Sequence, residues 1–450
     1  MIKNLIASFV LLSGYAFAQQ KASFSLQEAI DYSLKNSPNY LNAALDQQSA
    51  VYRKNEVAAI GLPQVNGSVD FKDYIKIPTS LIPASAFNPA APKDMYLAVK
   101  FGLQYSATAG LSASQLIFSA DYFFGLKVSK EFLNLSRINV QRSKSELVAQ
   151  VSKAYYSVLV NQERVKSIDA NITRLNKILA DVKALNKEGF AEAIDVERFE
   201  VLSNNLAVEK EKVTEFIKGG EYLLKFQMGY KIYDPITLND SLNLSEELKQ
   251  DLNIANIDIT KRSEYQLIQS QQKLSQADLN RLKWGYLPTL AAYASYQFNT
   301  QRVNTNIFVT DKTNAMKQWY PIALVGVTMN LNIFDGLQRH YKIQQAKITV
   351  TKNENTLRNL EMAAQMESSM AAISFNNAIK SLGNNKRTLE LAKHIYEVTL
   401  KKYEQGVGSN SEVINAQTSL RESEVNYYST VYDAIVAKID YLKATGNLVK

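Results

Sequence analysis

The sequence contains no cysteine in 450 residues, which excludes a disulfide framework, thiolate metal ligands and a cysteine nucleophile. Its only histidines, His340 and His394, are too few for a His-rich zinc centre and argue against a histidine-based triad. Nine prolines and seventeen glycines are far below collagen-like usage. Lys plus Arg number 51 against 43 Asp plus Glu, a net charge of +8. That excess is mild for this length and gives no nucleic-acid partner. No GxSxG elbow and no GxxxxGK[ST] phosphate loop occurs, so the sequence reads as a non-enzyme without cofactor or metal. Past residue 18 no apolar run approaches the roughly 20 residues of a membrane helix. Any membrane crossing must therefore be made by β-strands.

The N-terminus points to export. Lys3 precedes an apolar stretch from Leu5 to Phe17, and Ala16-Phe17-Ala18 is a small-x-small cleavage site. Residues 1–18 are expected to be a signal peptide, with Gln19 the first mature residue. Without cysteine, a lipid anchor through that residue type is excluded.

Proline and glycine also divide the chain by where they are missing. Residues 126–188 contain neither, which predicts a very long helix bounded by Gly125 and Gly189. Leu147, Val151, Ala154, Val158, Asn161, Val165, Ile168, Ile172, Leu175, Leu179 and Val182 step by four and three, a coiled-coil seam with Asn161 as its one polar member. Elsewhere the period is two. Val65, Val69 and Phe71 open a short strand. Odd positions from Leu97 to Ala113 mark a longer one, Leu290 to Phe298 a third, and Ala323 to Ile333 a fourth. Residues 75–95, with four prolines, and the polar residues 299–320 read as long loops. Strand aromatics such as Phe71, Tyr105, Tyr296 and Phe298, with Trp319 and Tyr320, suit an interfacial girdle, although ordinary strand propensity accounts for any one of them.

Landmarks recur at a nearly constant offset. Gly189 and Gly406 are 217 residues apart, as are Gly229 and Gly446, and Ile117-Phe118 returns as Ile333-Phe334. An internal duplication is expected, with a first repeat at 19–218 (hairpin 64–118, long helices 119–218) and a linking segment at 219–262. The second repeat spans 263–450 (hairpin 289–334, long helices 335–446). Four strands cannot close a membrane barrel, and open sheet edges are not tolerated in lipid. Two copies would give eight strands with a filled interior, whereas three give twelve and room for a lumen. The fold expected is mainly α with β: a trimeric tunnel whose shared 12-stranded transmembrane barrel continues into a barrel of long helices.

Phe24-Ser25-Leu26-Gln27-Glu28-Ala29-Ile30, Asn36-Ser37-Pro38, Gly285-Tyr286-Leu287-Pro288, Asn332-Ile333-Phe334-Asp335-Gly336, Tyr403-Glu404-Gln405-Gly406 and Ala444-Thr445-Gly446 stand in an order and spacing that resembles the TolC family of outer-membrane efflux and secretion channels. The resemblance covers nearly the whole mature chain. It implies a homotrimer embedded in outer-membrane lipid, with a periplasmic extension. It also implies a periplasmic adaptor and an inner-membrane pump as partners. The periplasmic tip would lie at the glycine turns, with Gly189, Phe190, Gly406, Val407 and Gly408 docking the adaptor. Asp195 and Glu412, each six residues past its glycine, would border the lumen, where a carboxylate ring favours cations. The plainer account of both is a carboxylate complementing a helix N-terminus. Tyr403 matches the family's gate tyrosine, whereas Asn415 stands where the family has a carboxylate and Gly408 where it has an arginine. A coiled-coil adhesive protein of the cell envelope is the alternative, but it leaves the paired strand hairpins unexplained.

Overall fold

The computed structural model describes residues 22–92, 94–243, 248 and 258–449. The expected signal peptide and part of the expected linking segment lie outside them. The chain divides into two compact units, each drawing on both halves of the sequence. A helical unit comprises the described residues up to Leu45, Ile138–Leu267 and those from Leu357 onward. A sheet unit comprises Asp46–Arg137 and Ile268–Thr356.

The long helix predicted from missing proline and glycine is α3, Ala120–Lys187, 68 residues long. It follows β1 (Ala22–Phe24), α1 (Leu26–Asn36), α2 (Pro38–Ala59) and the strands β2 (Gln64–Asp73), β3 (Thr79–Pro83), β4 (Tyr96–Lys100) and β5 (Tyr105–Phe118). After it come α4 (Ala193–Met228), β6 (Ile236–Leu238), α5 (Ser263–Trp284), β7 (Thr289–Arg302), β8 (Tyr320–Asn330), α6 (Gln338–Glu404) and α7 (Asn410–Ala444).

In the helical unit, the seam of α3 is the core. Val151, Val158, Leu175 and Val182 are fully or almost fully buried, and the polar member Asn161 turns its amide onto the Ser157 carbonyl one turn back at 2.7 Å. Val151 and Tyr155 pack with Leu224 and Met228 of α4 and with Val431 and Ile435 of α7. Further along, Leu175 joins Phe199, Leu206, Tyr396, Val413 and Leu420. α1 starts with a reciprocal cap. The Glu28 amide donates to Ser25 Oγ at 3.3 Å and the Ser25 amide to Glu28 Oε2 at 2.8 Å. Pro38 then opens α2 at a position where a missing N–H costs nothing. The first residue of α1 is held by Asp240, whose Oδ2 accepts from the Leu26 amide at 2.8 Å and from the Tyr155 hydroxyl at 2.9 Å. Burial, then this carboxylate, pushes the Tyr155 phenol far above its usual range.

Helix α4 corrects one expected boundary. It does not end at residue 218 but runs through Gly219 and Gly220 to Met228. A Cβ on Gly220 would sit 3.0 Å from Val158 Cγ2, so this glycine permits close approach of α3 and α4 instead of breaking the helix.

A half-buried carboxylate joins α3 to α7. Glu424 accepts from Ser167 Oγ and from Asn171 Nδ2, both at 2.7 Å. Burial raises its pKa, opposed by those two bonds and by Arg174, while Glu209 adds to the rise. The ionised form is thus disfavoured in the folded state. Acidification from neutral pH through the raised folded value should stabilise this site, with no further gain below the unfolded value. Glu424→Gln, which keeps an acceptor oxygen, is expected to be at least as stable as the parent at neutral pH and to lose that local acid gain. Thermal melts across pH check this, and marked destabilisation at neutral pH would refute it. Glu146, held low chiefly by its bond from Lys443, has the opposite sign and loses stabilisation as pH falls through its folded value.

In the sheet unit, β2-β5-β7-β8 form one antiparallel sheet, with Gln64 opposite Ser114, Gly110 opposite Gln297 and Tyr293 opposite Gly326. Among the described residues the outer strands β2 and β8 have no partner on their far sides, and almost every residue of both is exposed. The second long strand is not continuous from Leu97, as its alternation predicted. It breaks at 101–104, where Gly102 takes φ +102°, and the part before the break, β4, pairs with β3 in a separate two-stranded sheet. The proline-rich stretch 75–95 therefore contains β3, with Pro83 at its end, rather than loop alone. β7 likewise runs on to Arg302, into the second expected loop, and β8 stops at Asn330, three residues short of Ile333. Among the aromatics, Phe71 stacks on Tyr105 at 6.0 Å, while Trp319 Nε1 donates to the Ile307 carbonyl at 3.2 Å. Among the described residues no helix is long and apolar enough to cross a membrane.

Candidate functional site at the helix reversals

The two helix reversals of the helical unit share one geometry. After α3, the Gly189 amide donates to the Asn186 carbonyl at 3.1 Å and the Phe190 amide to Leu185 at 2.8 Å. After α6, Gly406 donates to Tyr403 at 2.9 Å and Val407 to Lys402 at 3.0 Å. Both are helix stops with a left-handed glycine, φ +79° at Gly189 and +73° at Gly406. Each then presents an apolar side chain to solvent, Phe190 at 81% and Val407 at 75% exposure.

The helices that start from these turns place their carboxylates alike. Asp195 is the third residue of α4 and Glu412 the third of α7, both in the first turn, where a negative charge complements the helix dipole. Their surroundings differ. Glu412 has its amide bonded to Ser409 Oγ at 3.2 Å, and its side chain lines an open depression with Asn415, Leu391, Ile395 and Thr399. Asp195 is held across the two reversals. Its Oδ1 accepts from Asn410 Nδ2 at 2.7 Å, and Arg198 lies 3.9 Å from it while also reaching Ser411 Oγ at 3.4 Å.

Tyr403 packs its ring on Phe199 with centroids 6.0 Å apart, and its pKa is raised first by burial and then by the charge of Asp195. Asp195 and Tyr403 thus share one environment, which Glu412 and Asn415 do not enter. Gly408 packs tightly under the end of α6: a Cβ there would lie 3.0 Å from the Tyr403 backbone nitrogen. Asn410, only 6% exposed, and Arg198 were not visible as site residues in the sequence. A polar residue after a helix cap is commonplace, and the contact that gives Asn410 meaning is 215 residues away in the chain. Among the described residues no group of three or more His, Cys, Asp or Glu could hold a metal.

Long helices with a heptad seam and glycine reversals, together with an antiparallel sheet whose strands reach 14 residues, are the parts expected of an outer-membrane channel subunit. Residues 265–447 match the model of the outer membrane efflux protein family. Outer membrane protein TolC of Vibrio cholerae is 19% identical over 457 residues, spanning 99% of this chain and 96% of the relative. The chain is thus similar to members of this outer membrane efflux family, the TolC family, and its place is the outer membrane. The fold agrees. The CmeC outer membrane channel of Campylobacter jejuni matches with a TM-score of 0.73 at 15% identity, covering 94% of this chain and 86% of that one. A membrane protein from Pseudomonas aeruginosa matches at 0.74 with 16% identity, covering 93% and 92%. The family is one of channels, not of enzymes.

Proposed function

We propose that the chain is one third of an exit duct: a homotrimer whose three four-stranded sheets close a twelve-stranded barrel in the outer membrane, continued on the periplasmic side by the long helices. The observation that carries this is the sheet itself. Among the described residues β2 and β8 leave both edges unpaired, and β8 exposes Ile322, Leu324, Val325, Val327 and Met329. Unpaired backbone groups are not tolerated in lipid, so the edges must be met by other copies. The duplicated repeats, with a link between them, are supported by the matched reversals and by a second matched pair of caps, Gly229 at φ +69° and Gly446 at φ +72°.

Substrates would be handed to the duct by an inner-membrane pump through a periplasmic adaptor. The exposed Phe190 and Val407, with Gly189, Gly406 and Gly408, would form the adaptor's docking turns. Asp195, Glu412, Asn415 and Tyr403 would border the periplasmic mouth, with the Asn410–Asp195 bond tying its two turns together.

Planar-bilayer conductance of the detergent-purified protein tests this reading. The parent should form trimer-sized, cation-preferring channels. Asp195→Asn with Glu412→Gln should reduce cation preference without loss of trimer. Exposed or half-exposed charges contribute little stability, and the amide oxygen introduced by Asp195→Asn could still accept from Asn410. Tyr403→Ala should raise conductance modestly, since Gly408 supplies no arginine to hold the closed form. A monomer in mild detergent by light scattering would refute the assembly. Unchanged selectivity in the double variant would return both carboxylates to a purely helix-capping role.

A further inference from the structure

Strand register sorts the sheet into two faces of opposite chemistry. Asn66 lies opposite Ser112 and that residue opposite Ser295, while Ser68 and Gln297 flank Gly110. On the same face Asn299 Nδ2 donates to Thr108 Oγ1 at 2.9 Å. Hydroxyls and amides thus cover β2, β5 and most of β7 there, and β8 adds the apolar Ile322 and Leu324. The other face carries Val65, Val69, Leu111, Tyr296, Val325 and Val327, with Val69 at 83% and Val325 at 84% exposure. Membrane barrels alternate in this way, apolar toward lipid and polar toward the lumen. The hydroxyl and amide face is therefore the lumen wall.

Charge is nearly missing from that wall. The charged residues of the four strands are Asp70, Lys72, Asp73 and Arg302. Asp73 and Arg302 both stand opposite Tyr105, on the apolar side at the loop end of the strands. Asp73 accepts from Gln104 Nε2 at 3.2 Å, and the buried Arg302 donates to the Met316 and Val309 carbonyls of the loop that follows it. Asp70 and Lys72, two residues apart on β2, share the polar face. There Lys72 Nζ meets Asp70 Oδ1 at 3.0 Å, with both side chains more than half exposed. Three copies would bring three such pairs to one level of the barrel. Each carboxylate is answered by the ammonium beside it, so the ring has no net charge.

We propose that Asp70 and Lys72 are a selectivity element of the duct, a self-neutralising ring that keeps the barrel lumen indifferent to the sign of a passing charge. The inference rests on the trimeric-duct reading. Asp70→Asn leaves three unanswered ammonium groups in the lumen, and Lys72→Gln leaves three unanswered carboxylates. In planar bilayers at about 0.01 M salt, where screening lengths are about 30 Å, the cation-to-anion permeability ratio should fall about twofold or more in the first variant and rise about twofold or more in the second. The double variant should return to the parent ratio. An exposed pair contributes little to stability, so the trimer should form in all three. Unchanged ratios in both single variants, or shifts of the same sign, overturn the proposal while the parent's channels leave the duct standing. A parent that forms no trimeric channel overturns both. The cysteine-free chain allows a second check. In the membrane, Asp70→Cys should react with a water-soluble charged thiosulfonate and change the conductance, whereas Val69→Cys should be shielded by lipid. Reaction at Val69→Cys that matches or exceeds that at Asp70→Cys would take the pair out of the lumen and overturn the proposal.

Discussion

Val158→Asp should abolish assembly and leave little folded helical unit. Val158 has no exposed surface, lies in the centre of the α3 seam, and stands over Gly220 of α4 so closely that a Cβ there would be 3.0 Å away. No solvent reaches the position, and Gly220, which packs against it, has no side chain to offer a carboxylate a donor. Leaving a buried charge unpaired costs on the order of 3–5 kcal/mol, a large part of the net stability of an ordinary domain. Protonation of the new carboxylate would reduce this cost without removing it, because the neutral group still needs hydrogen bonds. The yield of detergent-extracted trimer and the helical circular dichroism of the purified chain are the readouts. A normal trimer with an unchanged melting curve would mean that the seam does not face α4. Ile172→Asp, at a half-buried seam position, should be milder.

The seam was legible because it depends on one helix and its period. Steps of four and three from Leu147 to Val182 needed no knowledge of the partner, and the 63-residue gap in proline and glycine fixed the helix around them. Features decided by a second segment were harder to read. Gly219-Gly220 resembles a helix stop until Val158 is placed against it. The alternation beginning at Leu97 continues past Gly102 in pattern, but the positive φ there turns β4 away to pair with β3. The turn glycines and first-turn carboxylates were visible from local spacing. The bond that distinguishes Asp195 from Glu412 was not, because Asn410 belongs to another helix. Edge strands carry the same lesson in reverse. β2 and β8 have ordinary strand sequences, and only the sheet order reveals that they end without partners.

Gly229→Ala should destabilise the helical unit much more than Gly406→Ala, although the two glycines have nearly the same backbone, φ +69° and +73°. A side chain in this left-handed region costs roughly 1–2 kcal/mol wherever it occurs. At Gly406 that is the whole expected cost, because nothing lies within 4 Å of the new Cβ. At Gly229 the Cβ would stand 2.3 Å from the Asn36 carbonyl oxygen and 2.7 Å from its carbon. Those are backbone atoms at the end of α1, fixed by the Ser37 amide's bond to Ser33 at 2.8 Å and by Pro38 opening α2, so no rotamer change relieves the clash. The end of α1 must move from α4, disturbing the contacts of Met228 and Tyr230. Overpacking of this kind adds about 1–3 kcal/mol, for a total of roughly 2–5 kcal/mol. Thermal melts of the two variants side by side separate the terms. A clearly lower melting temperature for Gly229→Ala is expected, with Gly406→Ala close to the parent. Equal shifts would mean that backbone conformation alone sets the need for glycine at 229 and that α1 does not press against the end of α4.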